Sequence, residues 1–207
     1  MGTLISRAIP VKLLIGTGNA GKIAEFRSLL RDLPLSLAAL KDFPHIPEIR
    51  ETGETFKDNA WIKAVGYAKA SGLHAIADDS GLEVEALGGA PGVRSARFAG
   101  GKATYEKKIA KLLASLQARA RDNRNARFVS HIVLANPDGN VIFEAEGVCQ
   151  GTVAEAPRGI NGFGYDPIFI PAGFTETFGE LDQEVKQRIS HRAVAIGKII
   201  RFLRDFA

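Results

Sequence analysis

Cysteine is nearly absent: Cys149 is the only one in 207 residues. No internal disulfide can form and no Cys/His zinc cluster can be assembled, so a reducing, cytoplasmic compartment is the default expectation. A long apolar run is also missing. No segment approaches the ~20 residues needed to cross a bilayer, and the opening MGTLISRAIPVKLLIG lacks a signal peptide's apolar core. A soluble protein with no membrane partner is expected. MGTLIS meets a loose myristoylation pattern, but residues 1–10 read more simply as a short N-terminal extension. Internal repeats, low-complexity tracts and a clean linker are lacking as well, so residues 1–207 read as one domain. Nor is one charge in strong excess. A net charge of +4 and a pI near 9.3 suit a small anionic ligand and fall short of a basic nucleic-acid-binding tail.

What is present is a 45% hydrophobic chain with clear element signals. VKLLI (11–15) is a short strand-type run that stops at Gly16-Thr17-Gly18. Ile23, Phe26, Leu30 and Leu33 then recur at helical spacing until Pro34. LSLAAL (35–40) predicts a second strand, and after a Pro-containing acidic loop a helix is expected near Thr55–Ser71, stopped by Gly72. HAIA (74–77) and LEVEAL (82–87) predict two strands flanking Asp78 and Asp79, which puts the acidic pair at a strand end. A helix over about Thr104–Ala120 carries Ile109, Leu112, Leu113 and Leu116. RFVSHIVLA and VIFEAEGV, joined by NPDGN, predict a hairpin, with GTVAEA (151–156) as a further strand. Residues 156–179 predict an irregular Gly-, Pro- and aromatic-rich loop suited to a site, and Leu181–Phe206 one closing helix.

Two features carry chemistry. Adjacent carboxylates each raise the cost of ionising the other, so a cation is expected beside Asp78 and Asp79. The turn GTGNAGK (16–22) fits two phosphate-binding patterns. Gly16, Gly18 and Gly21 satisfy the dinucleotide G-x-G-x-x-G, with Asp42 near the ribose-binding offset, but the later segments do not continue as regular βα units. The same residues give a P-loop whose metal-binding Ser/Thr is replaced by Ile23. What survives both comparisons is shared physics: backbone amides and Lys22 at a helix N-terminus attract phosphate oxygens.

TGNAGK (17–22), ETGETFKDNAWIKA (51–64), ADDSGLEVEALGGAPGVRSARF (77–98), GFGYDPIF (162–169) and SHR (190–192) together resemble the inosine triphosphate pyrophosphatase family, the non-canonical purine nucleoside triphosphate pyrophosphatases. The resemblance spans nearly the whole chain. It implies an α/β, elongated two-lobed fold around a mixed β-sheet with flanking helices, a nucleotide groove between the lobes, and usually a homodimer. It also implies Mg²⁺-dependent cleavage of ITP, dITP or XTP between the α- and β-phosphates, giving the monophosphate and pyrophosphate and clearing deaminated purines from the nucleotide pool.

The resemblance assigns roles residue by residue. Asp79 becomes the general base and metal-linked carboxylate. Thr17, Gly18, Asn19, Ala20, Gly21 and Lys22 become the phosphate cradle, Ser80 a further substrate contact, and Lys186 and Lys63 substrate-site lysines. Phe163, Gly164, Tyr165 and Asp166 correspond to the loop that holds the base, and His191 and Arg192 to donors for its 6-oxo edge. Mg²⁺ takes oxygen ligands, often one or two carboxylates plus substrate phosphates, so the metal is the cation expected beside the acidic pair. The family pattern has a metal carboxylate three positions before the Gly of ETG, where this chain has Arg50; Glu51 is expected to take that role. Two rivals are a pyrophosphatase for other modified or pyrimidine nucleotides and a nucleic-acid-binding module built on RARDNRNAR (119–127), which lacks interleaved aromatics for stacking. The expected partners are therefore purine nucleoside triphosphates and a second copy of the chain, with no nucleic acid.

Overall fold

The structure, a computed structural model, describes residues 12–119 and 122–204. The expected N-terminal extension lies outside the described residues. One six-stranded mixed sheet runs in the order β2-β1-β3-β4-β5-β6. Its first half is parallel: β1 (Lys12–Ile15) pairs with β2 (Ser36–Ala39) on one side and β3 (His74–Val84) on the other. Its second half is antiparallel, through β4 (Asn125–Ala135), β5 (Val141–Val153) and the short β6 (Phe169–Pro171). The mixed pairing leaves no room for a doubly wound dinucleotide fold.

The period-2 alternation of the long strands explains the two lobes. On one face of β3, Ile76 joins Leu13, Phe26, Ile132 and Ile199 in one core, whereas Leu82 and Val84 join Leu112, Leu116, Phe128 and Phe169 in another. Between these two cores the same face carries Asp78 and Ser80. The opposite face packs Ala75 and Ala77 against Ala60, Ala64 and Tyr67 in a third core. The strands therefore pass from one lobe to the next through a polar waist. Each fully buried leucine in these cores, such as Leu112 or Leu116, contributes about 2 kcal/mol of transfer free energy.

Helices follow from local signals. Asn19 caps α1 (Ala20–Leu29), accepting from the Lys22 N–H at 3.0 Å. Thr55 and Asp58 form a reciprocal capping box on α2 (Phe56–Ser71), which ends at Gly72 in the left-handed region. α3 (Tyr105–Arg119) buries Ile109, Leu112 and Leu116 along one stripe.

Three expectations are corrected. β3 is one continuous strand, so Asp78 and Asp79 sit in its middle; its ladder with β4 runs unbroken from Ala75↔Ala135 to Val84↔Ala126. GTVAEA is no separate strand, since β5 itself continues to Val153. The closing helix is two, α4 (Gln183–Ile189) and α5 (His191–Arg204). Ser190 breaks it: its backbone is extended (ψ 155°), and its hydroxyl accepts from the Ala193 N–H at 3.2 Å, capping the second helix. Gly147 of β5 lets α5 lie close on the sheet, because a Cβ there would strike His191 and Ala195.

Candidate active site

At the polar waist a cleft of about 850 Å³ opens between the lobes. Thr17, Gly18, Asn19 and Lys22 line it from the α1 turn, Glu51 and Lys63 from the loop before α2 and from α2 itself, and Asp79 and Ser80 from β3. Phe163, Gly164, Tyr165 and Asp166 face them from the irregular loop, with Lys186, His191 and Arg192 from the α4–α5 corner. Ala20 and Gly21 are not on its wall. Gly21 instead lies under the Phe163 ring, where any Cβ would collide with it. Asp42 is away from the cleft, accepting from the Ala39 N–H at 2.9 Å, so it is no ribose ligand.

The two adjacent carboxylates point to opposite faces of β3 and meet different company. Asp78 is fully buried. Its Oδ2 accepts from Lys22 Nζ at 2.7 Å, Arg192 Nη2 at 2.9 Å and Ser80 Oγ at 3.0 Å, while Oδ1 accepts from Ser130. Burial opposes its ionisation, but Arg192 and Lys22 overcome this and hold its carboxyl well below the usual range. The cation expected beside the pair is thus, for Asp78, two of the protein's own side chains. Among the described residues the Asp79 side chain makes two longer contacts, to Lys63 Nζ and Asn59 Nδ2, both 3.2 Å. Burial pushes its carboxyl up despite Lys63 and Lys22, and the neighbouring Glu51 and Asp78 push the same way.

Charge alternates across the cleft. Asp166 Oδ2 accepts from Lys186 Nζ at 2.5 Å and from the Phe163 N–H at 2.6 Å. Lys186 also pairs with Glu25 at 2.7 Å, and Glu25 pairs with Arg192, which reaches Asp78. On the other face of β3, Lys63 donates to the Asp78 carbonyl at 2.8 Å and pairs with Glu51 at 2.6 Å. Arg97 stands last, 3.7 Å from Glu51. Burial opposes the charge on Arg192, yet Asp78 and Glu25 raise its pKa and keep it cationic.

At the Asp166 end the structure offers an aromatic face with buried donors. Lys186 Nζ lies 4.6 Å from the Phe163 ring centre, and Arg192 Cζ 5.9 Å. Tyr165 is packed, donating to the Ser95 carbonyl at 3.0 Å and meeting Tyr105 edge-on. His191 stacks on Phe128 at 4.7 Å. Burial, and the positive Arg192 beside it, lower its pKa well below the ordinary histidine value. His191 Nδ1 and Arg192 Nε are buried without a hydrogen-bond partner among the described residues.

Asp79 and Glu51 converge on one cation, the Lys63 ammonium, and both are hard oxygen donors. Among the described residues no cluster of three or more His, Cys, Asp or Glu is placed to hold a metal. A pair of carboxylates fits a divalent cation that completes its shell from phosphate and water.

Sequence reasoning missed Glu25, Asn59, Ser130 and Arg97. Asn59 and Glu25 had a signal, since Asn59 lies one helical turn before Lys63 and Glu25 one turn after Lys22, each on the same helix face. The Arg-rich segment is partly committed internally: Arg124 donates to the Val153 and Ala154 carbonyls, and Arg127 to Glu83 at 2.7 Å. A second groove of about 820 Å³ on the far lobe, lined by Glu83, Arg127 and Gln150 among others, contains none of the candidate residues.

The Ham1 family profile matches residues 13–202. A dITP/XTP pyrophosphatase of Streptomyces coelicolor is 45% identical over 196 residues, 94% of this chain and 98% of that protein. One of Thermus thermophilus is 46% identical over 197 residues, covering 94% and 93%. The solved structure of a HAM1 protein from Coxiella burnetii superposes with a TM-score of 0.87 at 42% identity, over 94% of this chain and 99% of that one.

Proposed function

The chain belongs to the Ham1 family, and from that premise we propose that it hydrolyses non-canonical purine nucleoside triphosphates, namely ITP, dITP and XTP, to the monophosphate and pyrophosphate. One observation carries the proposal. A single cleft sets an under-engaged carboxylate, Asp79, between phosphate-suited lysines on one side and an aromatic loop with unpaired buried donors on the other. Relatives named dITP/XTP pyrophosphatase support the choice of substrate.

The chain's own groups suit each step. Lys22 and the α1 turn bind phosphate oxygens, and the Phe163 ring offers a face for the purine. Arg192 Nε and His191 Nδ1 are the polar atoms left to meet the base edge. Water adds to the α-phosphorus, Asp79 takes its proton, and the bond to the bridging oxygen breaks with its electron pair leaving on pyrophosphate. The Asp79 carboxylate, held by two long contacts, keeps an oxygen open to that water. Lys63 and Lys22 offset the charge that develops on the leaving group. Asp79 and Glu51 would hold Mg²⁺, which supplies Lewis-acid polarisation of the phosphates.

Hydrolysis of a nucleotide panel, with pyrophosphate and orthophosphate measured separately, tests the proposal. ITP, dITP and XTP should release pyrophosphate much faster than ATP or GTP. Release of orthophosphate alone from ITP would contradict it.

A further inference from the structure

The cations lining the cleft fall into two sets. Lys22, Lys63, Lys186 and Arg192 are each tied by an ion pair of 2.9 Å or less, with side chains no more than 14% exposed. The second set is two exposed arginines, Arg50 on the loop before α2 and Arg97; Arg97 is 44% exposed, and its one ion pair among the described residues is the 3.7 Å contact to Glu51. Its backbone is nonetheless fixed. It ends the 3-10 turn Gly92–Arg97, which Ser95 anchors by donating to the Gly92 carbonyl at 2.6 Å, accepting from the Leu82 N–H at 3.0 Å, and accepting at its own carbonyl from Tyr165 at 3.0 Å.

Its place in the alternating charges is also specific. From Lys186 and the Phe163 ring the sequence runs through Glu25, Arg192, Asp78, Lys63 and Glu51 to Arg97. The Arg97 guanidinium therefore stands beside Glu51, on the face of β3 that carries Asp79 and Lys63, while its turn is tied to Tyr165. A guanidinium with a weak partner, held on a fixed turn beside open cleft, gains two-pronged hydrogen bonds from phosphate oxygens with little reorganisation.

We propose that Arg97 is a substrate-binding residue for the terminal phosphates, those that leave as pyrophosphate; the proposal rests on the pyrophosphatase function above. Glu51 holds the guanidinium across the mouth of the cleft, and the phosphates replace that loose pair.

Pyrophosphate and IMP are titrated separately into wild type, Arg97→Ala and Arg97→Lys, and ITP kinetics are followed alongside. Arg97→Ala should weaken pyrophosphate binding about tenfold and raise KM for ITP by a similar factor, as expected for losing a charge-assisted contact. Binding of IMP should be unchanged, and Arg97→Lys should recover part of the loss. Unchanged pyrophosphate affinity overturns the proposal, and so does equal weakening of pyrophosphate and IMP, which would make Arg97 a prop for the whole cleft. If wild type releases only orthophosphate from ITP, the pyrophosphatase function fails, while the pyrophosphate titration still judges Arg97.

Discussion

Asp78 and Asp79 are neighbours in sequence, both buried, and their pKa values move in opposite directions. Burial raises the cost of ionising each one equally in kind. The difference is what each face of β3 supplies. The Asp78 face brings two cations and two hydroxyls to its carboxylate; the Asp79 face brings one ammonium and one amide at longer range, and a second carboxylate nearby. Fully buried and enclosed by four protein donors, Asp78 is closed to a water or a metal, whereas Asp79 lines the open cleft. One strand thus places a fully engaged carboxylate and a less engaged one side by side, and the alternation of the pleat keeps them apart.

The sharpest break of this comparison is a pair of substitutions with the same chemical change. Asp79→Asn should lower kcat for ITP by about 10³-fold, because the amide cannot accept the water's proton. Its urea midpoint should stay level or rise, since a carboxyl pushed up by burial costs stability when ionised. A folded variant with near-normal kcat would remove Asp79 from the chemistry. Asp78→Asn should do the reverse in stability, losing about 3–5 kcal/mol because the buried Arg192 keeps its charge with the partner neutralised and Lys22, whose pKa burial already lowers, loses the main charge that offsets that burial. Equal urea midpoints for Asp78→Asn and wild type would show that the buried cations have other compensation.

Much of the fold is legible in the sequence. The strand, glycine turn and helix at 12–29 follow from punctuation and period, though the helix stops short of the expected Leu33, and the helix expected near Thr55–Ser71 with its stop at Gly72 matches α2. The hairpin across NPDGN follows from its turn chemistry. What failed was tertiary. Two polar residues amid an apolar run signal a strand end only if nothing across the sheet satisfies them; here Ser130, 52 residues on, and Arg192, 114 residues on, do so. The break at Ser190 is equally invisible to periodicity, because Val185, Ile189, Ala193 and Ile196 keep a helical spacing through it. Glu25 lies in a short helix whose role depends on Lys186 and Arg192, far along the chain.

The smallest expected effect concerns His191 and sharpens what the Asp78 face can compensate. His191 stacks on Phe128, whose cross-strand neighbour is Leu82 on that same face, and Arg192, Lys186 and Lys22 all disfavour its protonation while only Asp78 favours it. The cations that stabilise the buried carboxylate therefore work against a buried imidazolium. An unfolded histidine titrates near ~6.5, and the folded one well below, so between those values the unfolded chain binds a proton that the native state does not. Stability is then full above about pH 6.5 and falls as pH drops toward the folded pKa. From pH 6.5 to 5.0 this single site should cost up to about 2 kcal/mol, roughly 1.4 kcal/mol per pH unit. His191→Leu cannot take the proton; it forgoes the stack on Phe128 and an Nδ1 that has no hydrogen-bond partner among the described residues. Urea midpoints measured across that interval should fall more gently in His191→Leu than in wild type. Parallel lines would mean that His191 stays neutral in the unfolded chain too or is charged in both states, and that the cations of the Asp78 face do not govern it.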